Sequence, residues 1–313
     1  MAQDFFLDVR FHRLSPELEP YFTALYSFDV RCDPGAEIRD FLHPEWSTMR
    51  FFVRGSPPRA SFVPEPSELT GPFPVSGPSS RAIDFSLTSA RIWGLGLLPL
   101  GWARFCQTPA CEIADKIVDG AKHPALAPFR QLYDLIDAYA DDFDAVARKV
   151  DSFLLDMDLS PVPAQEQILA CQAALRDPAV AQVEALAARV GVSRRSLERL
   201  CARYFGFPPK MLLRRQRFLR SLATYMLGHK GNWSKALDGQ YYDQAHFVRE
   251  FRRFMGMSPT AYAEMPHPIL DRIIAQRMAD HGVGVQTDLP TMLRYGGPKP
   301  QTPRNRVPCL SAD

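Results

Sequence analysis

The stretch YYDQAHFVREFRRFMG, residues 241–256, sets a turn-like start in front of a helix that carries aromatic, basic and apolar residues together. Asp243 is placed to cap that helix, because its carboxylate can accept backbone N–H groups that the first turn leaves without partners. Helical spacing then puts Phe247, Phe251 and Phe254 on one buried side and leaves Gln244, Ala245, Val248, Arg249 and Arg252 outside. Such a helix is held to its own domain by phenylalanines while it offers amide and guanidinium groups to something else.

Upstream, the same plan occurs once before. Val183, Leu186, Ala187 and Val190 make one apolar face, Gly191 can end that helix in the left-handed conformation, and Ser193 can cap the next. The next helix, 194–205, is expected to bury Leu197, Leu200, Cys201 and Tyr204 and to leave Arg194, Arg195, Glu198, Arg199 and Arg203 outside. Two short helices joined by a tight glycine turn, the second one basic, match the helix-turn-helix plan. Between the two units, Pro208-Pro209 opens a helix that runs to about Leu227, with Arg214, Arg215, Arg217 and Arg220 around it. A rod of that length spans roughly 30 Å, close to the ~34 Å between successive major-groove faces of one duplex.

The charge supports this division. The whole chain of 313 residues has a net charge of only +2, yet residues 181–262 hold 15 Lys and Arg against 5 Asp and Glu, whereas residues 1–180 hold 16 against 25. A near-neutral protein thus contains a strongly basic module, the footprint of a polyanion-binding surface. A solvated basic face without a partner is the competing reading of charge alone.

Residues 183–262 resemble the DNA-binding domain of AraC-type transcriptional regulators, whose second half carries a pattern close to DQ-small-HF-x-R-x-F-(x)3-G-x-(S/T)-P. Here it reads DQAHFVREFRRFMGMSP, from Asp243 to Pro259, followed by Ala261 and Tyr262. The first half, ALAARVGVSRRSLERLCARYFGFPPK, supplies the matching Ala187, Gly191, Ser193, Leu197, Arg199, Phe205, Gly206 and Pro209. The resemblance implies base-facing positions at Arg195, Glu198 and Arg199 in the first recognition helix, with Arg194 beside them, and at Gln244, Ala245, Val248 and Arg249 in the second. Glu198 has two readings, an acceptor for a cytosine amino group or an ion pair with a neighbouring arginine. The sequence departs from the pattern at KGNWSKALDGQYYD, with Lys235 where an apolar residue is usual and Gln240 near the turn glycine, which points to a short first helix in the second unit.

The N-terminal part is different in texture. Pro-bounded apolar runs at 50–54, 60–63 and 90–98 are of strand length, so residues 1–111 are expected to form a β-rich domain. The pieces HPEWSTMRF (43–51) and GPSSRAIDF with RIWGLGLLPLGWARF (within 77–105) resemble N-terminal domains of a subset of the same regulators, described as cupin-like β folds that sense small molecules or dimerise. Residues 112–156 carry apolar positions at helical spacing, including Ile113, Ile117 and Val118, and are expected as amphipathic helices. A polar, Pro-containing stretch at 157–165 suits a linker, the double helix-turn-helix domain is expected over 166–266, and 267–313 should be a short helix followed by a largely disordered tail.

The fold class expected is therefore α+β: a β-rich, cupin-like domain, then an all-α domain with two helix-turn-helix units joined by a long helix. Catalytic, metal and cofactor sites are expected to be absent. His43 and Glu45 lack the His-x-His and distant partner of a metal-binding barrel, Gly94-Leu-Gly96 meets Pro99 where a dinucleotide loop needs its third glycine, and Trp46, Trp93 and Trp102 suit a core. Six scattered cysteines, Cys32, Cys106, Cys111, Cys171, Cys201 and Cys309, suit reduced structural thiols. No bilayer-length apolar run and no secretion signal are evident, so a cytoplasmic location is expected. Double-stranded DNA is the expected partner, with a small-molecule effector, RNA polymerase and a second copy of the chain as further candidates; the ligand-binding residues are unknown. An architectural DNA binder without effector and an enzyme delivered to DNA remain the alternatives.

Overall fold

The Pro- and Gly-rich N-terminal part folds as two facing antiparallel sheets. The computed structural model describes residues 3–228, 233–279 and 307–309. One sheet orders its strands β10-β7-β4-β9-β2-β1-β11, using β1 (Gln3–His12), β2 (Phe22–Cys32), β4 (Ser47–Gly55), β7 (Pro74–Ser76), β9 (Ala90–Leu97), β10 (Ile117–Asp119) and β11 (Val307–Cys309). The other orders β3 (Ile38–Leu42), β8 (Ile83–Leu87), β5 (Arg59–Phe62) and β6 (Glu68–Leu69). Strand alternation sends Tyr26, Phe28, Val30 and Ile92 of the larger sheet toward Ile83, Phe85 and Leu87 of the smaller one. The opposite face of the larger sheet, with Leu25, Phe51, Trp93 and Leu95, is covered by helices. Gly94 sits in β9 because the Tyr26 ring occupies the space a β-carbon would need.

Those covering helices are α1 (Pro99–Phe105), α2 (Gln131–Ala138) and α3 (Phe143–Leu155). Asp142 caps α3 by accepting from the Ala145 N–H at 3.0 Å, and Phe143 stacks on Trp93 with ring centres 5.2 Å apart. All three tryptophans named from the sequence, Trp46, Trp93 and Trp102, are core residues. Ile117 and Val118 correct the reading of 112–156 as helical throughout. They form β10, whose register places Val118 opposite Val75, because the short edge strand β7 has an open side that accepts another strand.

The helical half begins with α4 (Gln165–Arg176), then α5 (Val183–Val190), α6 (Arg194–Leu200), a π-helical turn at Cys201–Phe205, and the long α7 (Pro209–Gly228). After it come α8 (Trp233–Ala236), α9 (Gln244–Met255), α10 (Pro259–Glu264) and α11 (Pro268–Ala279). The stretch 157–165 lies along the N-terminal half, with the Leu159 carbonyl accepting from Tyr21 at 3.1 Å. Of the tail expected to be disordered, Val307–Cys309 pairs with β1, Gln3 opposite Cys309, while most of it lies outside the described residues. No helix of the described residues is long and apolar enough to cross a membrane.

The two halves share their cores. The larger cluster runs from Trp46, Phe51 and Trp93 to Leu186, Leu197, Cys201 and Phe205 of the first helix-turn-helix unit. Another joins Phe41, Val63 and Ala82 of the sheets to Phe218, Phe247, Phe251 and Phe254 around the second. Both recognition helices also end against the N-terminal half, each at a glycine with positive φ. A β-carbon on Gly206 (φ +84°) would lie 3.0 Å from Pro78, and one on Gly256 (φ +73°) would lie 2.9 Å from Val63. The Ala82 N–H donates to the Phe254 carbonyl at 2.7 Å, closing the second of these contacts.

Arg215 of α7 is the deepest link. From the sequence it belongs to a ring of arginines around the helix, but it is only 1 % exposed. Its Nη1 donates to the carbonyls of Ser79 (2.9 Å) and Glu45 (3.3 Å), and its guanidinium lies 4.0 Å over the Trp46 ring. A planar, weakly hydrated cation can be buried in this way because carbonyl dipoles and an aromatic face replace its water.

Candidate nucleic-acid interface

Local chemistry shapes each recognition helix. Gly191, at φ +73°, closes α5 by donating to the Ala188 carbonyl at 3.2 Å, and the Ser193 hydroxyl then accepts from the Ser196 N–H at 3.2 Å to open α6. Leu197 and Leu200 face inward, so Arg194, Arg195, Glu198 and Arg199 are all exposed. Arg194 is held between two carboxylates, Glu184 at 3.1 Å and Glu198 at 3.3 Å. Of the two readings of Glu198, this geometry favours the ion pair. Arg195 and Arg199 make no ion pair among the described residues and present their full fork of donors.

In the second unit, Asp243 caps α9 by accepting from the His246 N–H at 2.6 Å. Phe218 stacks on Phe254 with centres 4.7 Å apart and meets Phe251 edge-on at 5.5 Å, anchoring the helix from the rod behind it. Gln244, Ala245 and Arg249 are exposed and Val248 is half-buried, so the four predicted positions form one ridge. The structure adds Tyr242, which is 93 % exposed just ahead of the cap. Nothing in the sequence separates it from its neighbour Tyr241, whose ring packs against Phe247.

The first helix of the second unit is short, as Lys235 and Gln240 suggested: α8 is a single turn. It is nevertheless pinned. Trp233 stacks on Tyr225 at 3.6 Å and donates from Nε1 to the Pro259 carbonyl at 3.1 Å. Gln240 donates from Nε2 to the Pro178 carbonyl, tying this unit to the loop ahead of α5.

The basic surplus divides into two uses. On the rod, Arg214 and Arg217 clasp the buried Glu250 of α9 at 2.5 and 2.7 Å, and Arg220 pairs with Asp238 at 2.6 Å. Burial alone would raise the Glu250 carboxyl, but hydrogen bonds and charge from Arg217 and Arg214 outweigh it and hold the group below the ordinary carboxylate range. Those arginines are structural. The exposed cations of the recognition helices that make no ion pair among the described residues are Arg195, Arg199, Arg249, Arg252 and Arg253.

A second constellation lies at the seam beside α9. His267 faces acceptors with both ring nitrogens, the Asp40 carboxylate at 3.1 Å and the Tyr262 carbonyl at 3.0 Å. Burial would lower this imidazole, yet the Asp40 partnership outweighs it and raises the ring above the ordinary histidine value. His43, half-buried, accepts at Nε2 from the Tyr262 hydroxyl at 2.7 Å, and packing pushes its ring well down toward the neutral form. Glu45 turns away to Arg50 at 2.5 Å. The pair His43 and Glu45 is therefore divided between two tasks.

Residues 186–265 match the family described as helix-turn-helix domain. No curated protein matches. Among solved structures, ToxT from Vibrio cholerae is 12 % identical and aligns over 83 % of this chain and 96 % of its own at a TM-score of 0.37. ToxT with bound unsaturated fatty acid gives 11 %, 84 %, 95 % and 0.36. The AraC-like transcriptional activator CuxR gives 12 %, 69 %, 86 % and 0.27. The two capped helices, the exposed arginines they carry and the matched stretch together identify a helix-turn-helix domain at residues 186–265 of this chain.

Proposed function

We propose that the protein reads a specific DNA site with both helix-turn-helix units and that a small, mostly apolar effector bound between the N-terminal sheets controls it. The observation that carries the first part is the pair of exposed ridges, Arg195 and Arg199 on α6 and Gln244 to Arg249 on α9, joined by a rod of 20 residues. At about 1.5 Å per residue the rod is ~30 Å long, so the ridges suit adjacent major-groove segments. Arginine forks suit guanine edges, and Gln244 suits adenine. Phosphate contacts by the remaining cations give affinity that falls steeply with salt.

The effector reading rests on a cavity of about 630 Å³, counted with its mouth, between the two sheets. Phe28, Phe52, Ile83, Phe85 and Ile92 line it, and Arg50 is its single charged wall residue among the described residues. That guanidinium already pairs with Glu45 and donates to Ser76 Oγ at 3.0 Å, so the cavity favours a ligand with large apolar area and few polar atoms. Extraction of purified protein and mass spectrometry of the released small molecules tests this. We read the chain as a non-enzymatic regulator acting in the cytoplasm, where the DNA is.

Selection of bound duplexes from a random library, with full-length protein near physiological salt, tests the DNA reading. Two base-specific blocks about one helical turn apart are expected. One block would make the second unit a positioning element, and binding without any enriched sequence would favour an architectural role.

A further inference from the structure

We propose that α11 transmits the state of the cavity to the second helix-turn-helix unit and leaves the first unaffected. The proposal rests on the reading of two base-reading units and an effector cavity. Its physical basis is a helix whose adjoining stripes face two different clusters. Ile269 and Ile273, one turn apart, pack with Phe28, Phe52, Ile83 and Ile92, and Ile269 itself forms part of the cavity wall. Leu270 and Ile274, the next residue in each turn, pack with Phe218, Phe251, Phe254 and Tyr262.

Strand β3 makes the same division and clamps the helix. Leu42 lines the cavity, Phe41 enters the cluster of the second unit, and Asp40 accepts from the N–H groups of Ile269 (2.9 Å) and Leu270 (2.8 Å) at the start of α11. A carboxylate on a helix N-terminus satisfies two free donors and meets the positive end of the dipole. Any molecule that displaces Ile269 therefore pushes a clamped helix against the Phe251–Phe254 core of α9. Close-packed cores yield by shifting whole elements, not by compressing. The buried residues of the first unit, Leu186, Leu197, Cys201 and Phe205, sit in the other cluster, which among the described residues contains none that line the cavity.

The experiment uses the full chain and the selected duplex, together with two derivatives in which either block is scrambled. The readout is the affinity ratio of intact to scrambled duplex for each block. Ala60→Phe adds bulk from the wall strand β5. It is expected to lower the second-block ratio about 5-fold or more while the first-block ratio stays within about 2-fold, and adding Ile269→Ala, which makes room on the helix side, is expected to restore it. The same ratios measured on the wild type saturated with 1-anilinonaphthalene-8-sulfonate give a test that needs no folded variant; Ala60→Phe should abolish the dye's fluorescence gain. Equal changes in both ratios, a change in the first alone, or no change in either with the cavity filled would overturn the proposal. A wild type indifferent to both blocks would instead overturn the two-unit reading beneath it.

Discussion

The two helix-turn-helix units share a plan but not a setting. The first rests in the larger core, where Phe205 meets Trp46 edge-on at 5.7 Å and Leu186 and Leu197 continue the packing of the β domain. The second has a smaller aromatic core, a first helix of one turn, and a neighbour in α11 that also walls the cavity. One unit is built into the foundation and the other stands beside a space that can fill. The difference teaches that two units of one plan can diverge in their surroundings while each keeps a capped helix with an exposed arginine.

The largest effect should come from abolishing what the units have in common. Arg215→Met keeps most of the side-chain volume but removes the donor of the Ser79 carbonyl and the cation over the Trp46 ring, and should cost about 2–4 kcal/mol in urea unfolding. Both units should then loosen together, visible as parallel rises in amide exchange. Next in size, Arg199→Ala and Arg249→Ala should each weaken specific binding by about 1–3 kcal/mol, with a smaller loss on random duplex. Equal losses on all sequences would make either residue a backbone contact. Asp40→Asn should sharpen the contrast. It removes the charge partner of His267 and weakens the α11 cap, at about 1–2 kcal/mol, with exchange rising in α9 and α11 but not in α6.

Titration separates the units by a smaller margin. His267 is raised by its Asp40 partner, so its stabilising contribution is complete below the ordinary histidine value of 6.5 and is lost as pH rises through its raised value. His43 is held neutral, so stability falls as pH drops below 6.5, where the unfolded chain takes a proton that the folded chain refuses. Stability at the seam should peak near pH 6.5, with His267→Gln flattening the alkaline limb and His43→Gln the acid limb. Smallest of all, Glu198→Gln should change stability by less than about 0.5 kcal/mol, because its pair with Arg194 is exposed. A larger shift confined to duplexes with cytosine at one position would restore Glu198 as a base-reading group.

The recognition helices were legible because caps, phenylalanine spacing and turn glycines are local signals. Asp243, Ser193 and Gly191 act within four residues of their own positions. What was not legible depends on partners far along the chain. Arg215 reads as one more exposed cation in an arginine-rich helix, and only the arrival of Trp46 and two carbonyls makes it a core residue. Ile117 and Val118 fit a helical spacing, and the open edge of β7 decides their strand. The cavity was beyond reach for the same reason, since its walls come from many strands and one late helix.

The Asp40 clamp also bears on how the chain acquires its structure. Asp40 and Ile269 are 229 residues apart, and Glu45 and Arg215 are 170 apart. During synthesis the sheets emerge first, at roughly 5–20 residues per second, and must wait with Trp46 and Phe41 uncovered until the helical half is made. Contacts of such separation slow folding, because the intervening loop must be ordered before they form. The nascent β domain is thus the stage most exposed to aggregation, and the helix that shields its cavity is made long after the strands it covers.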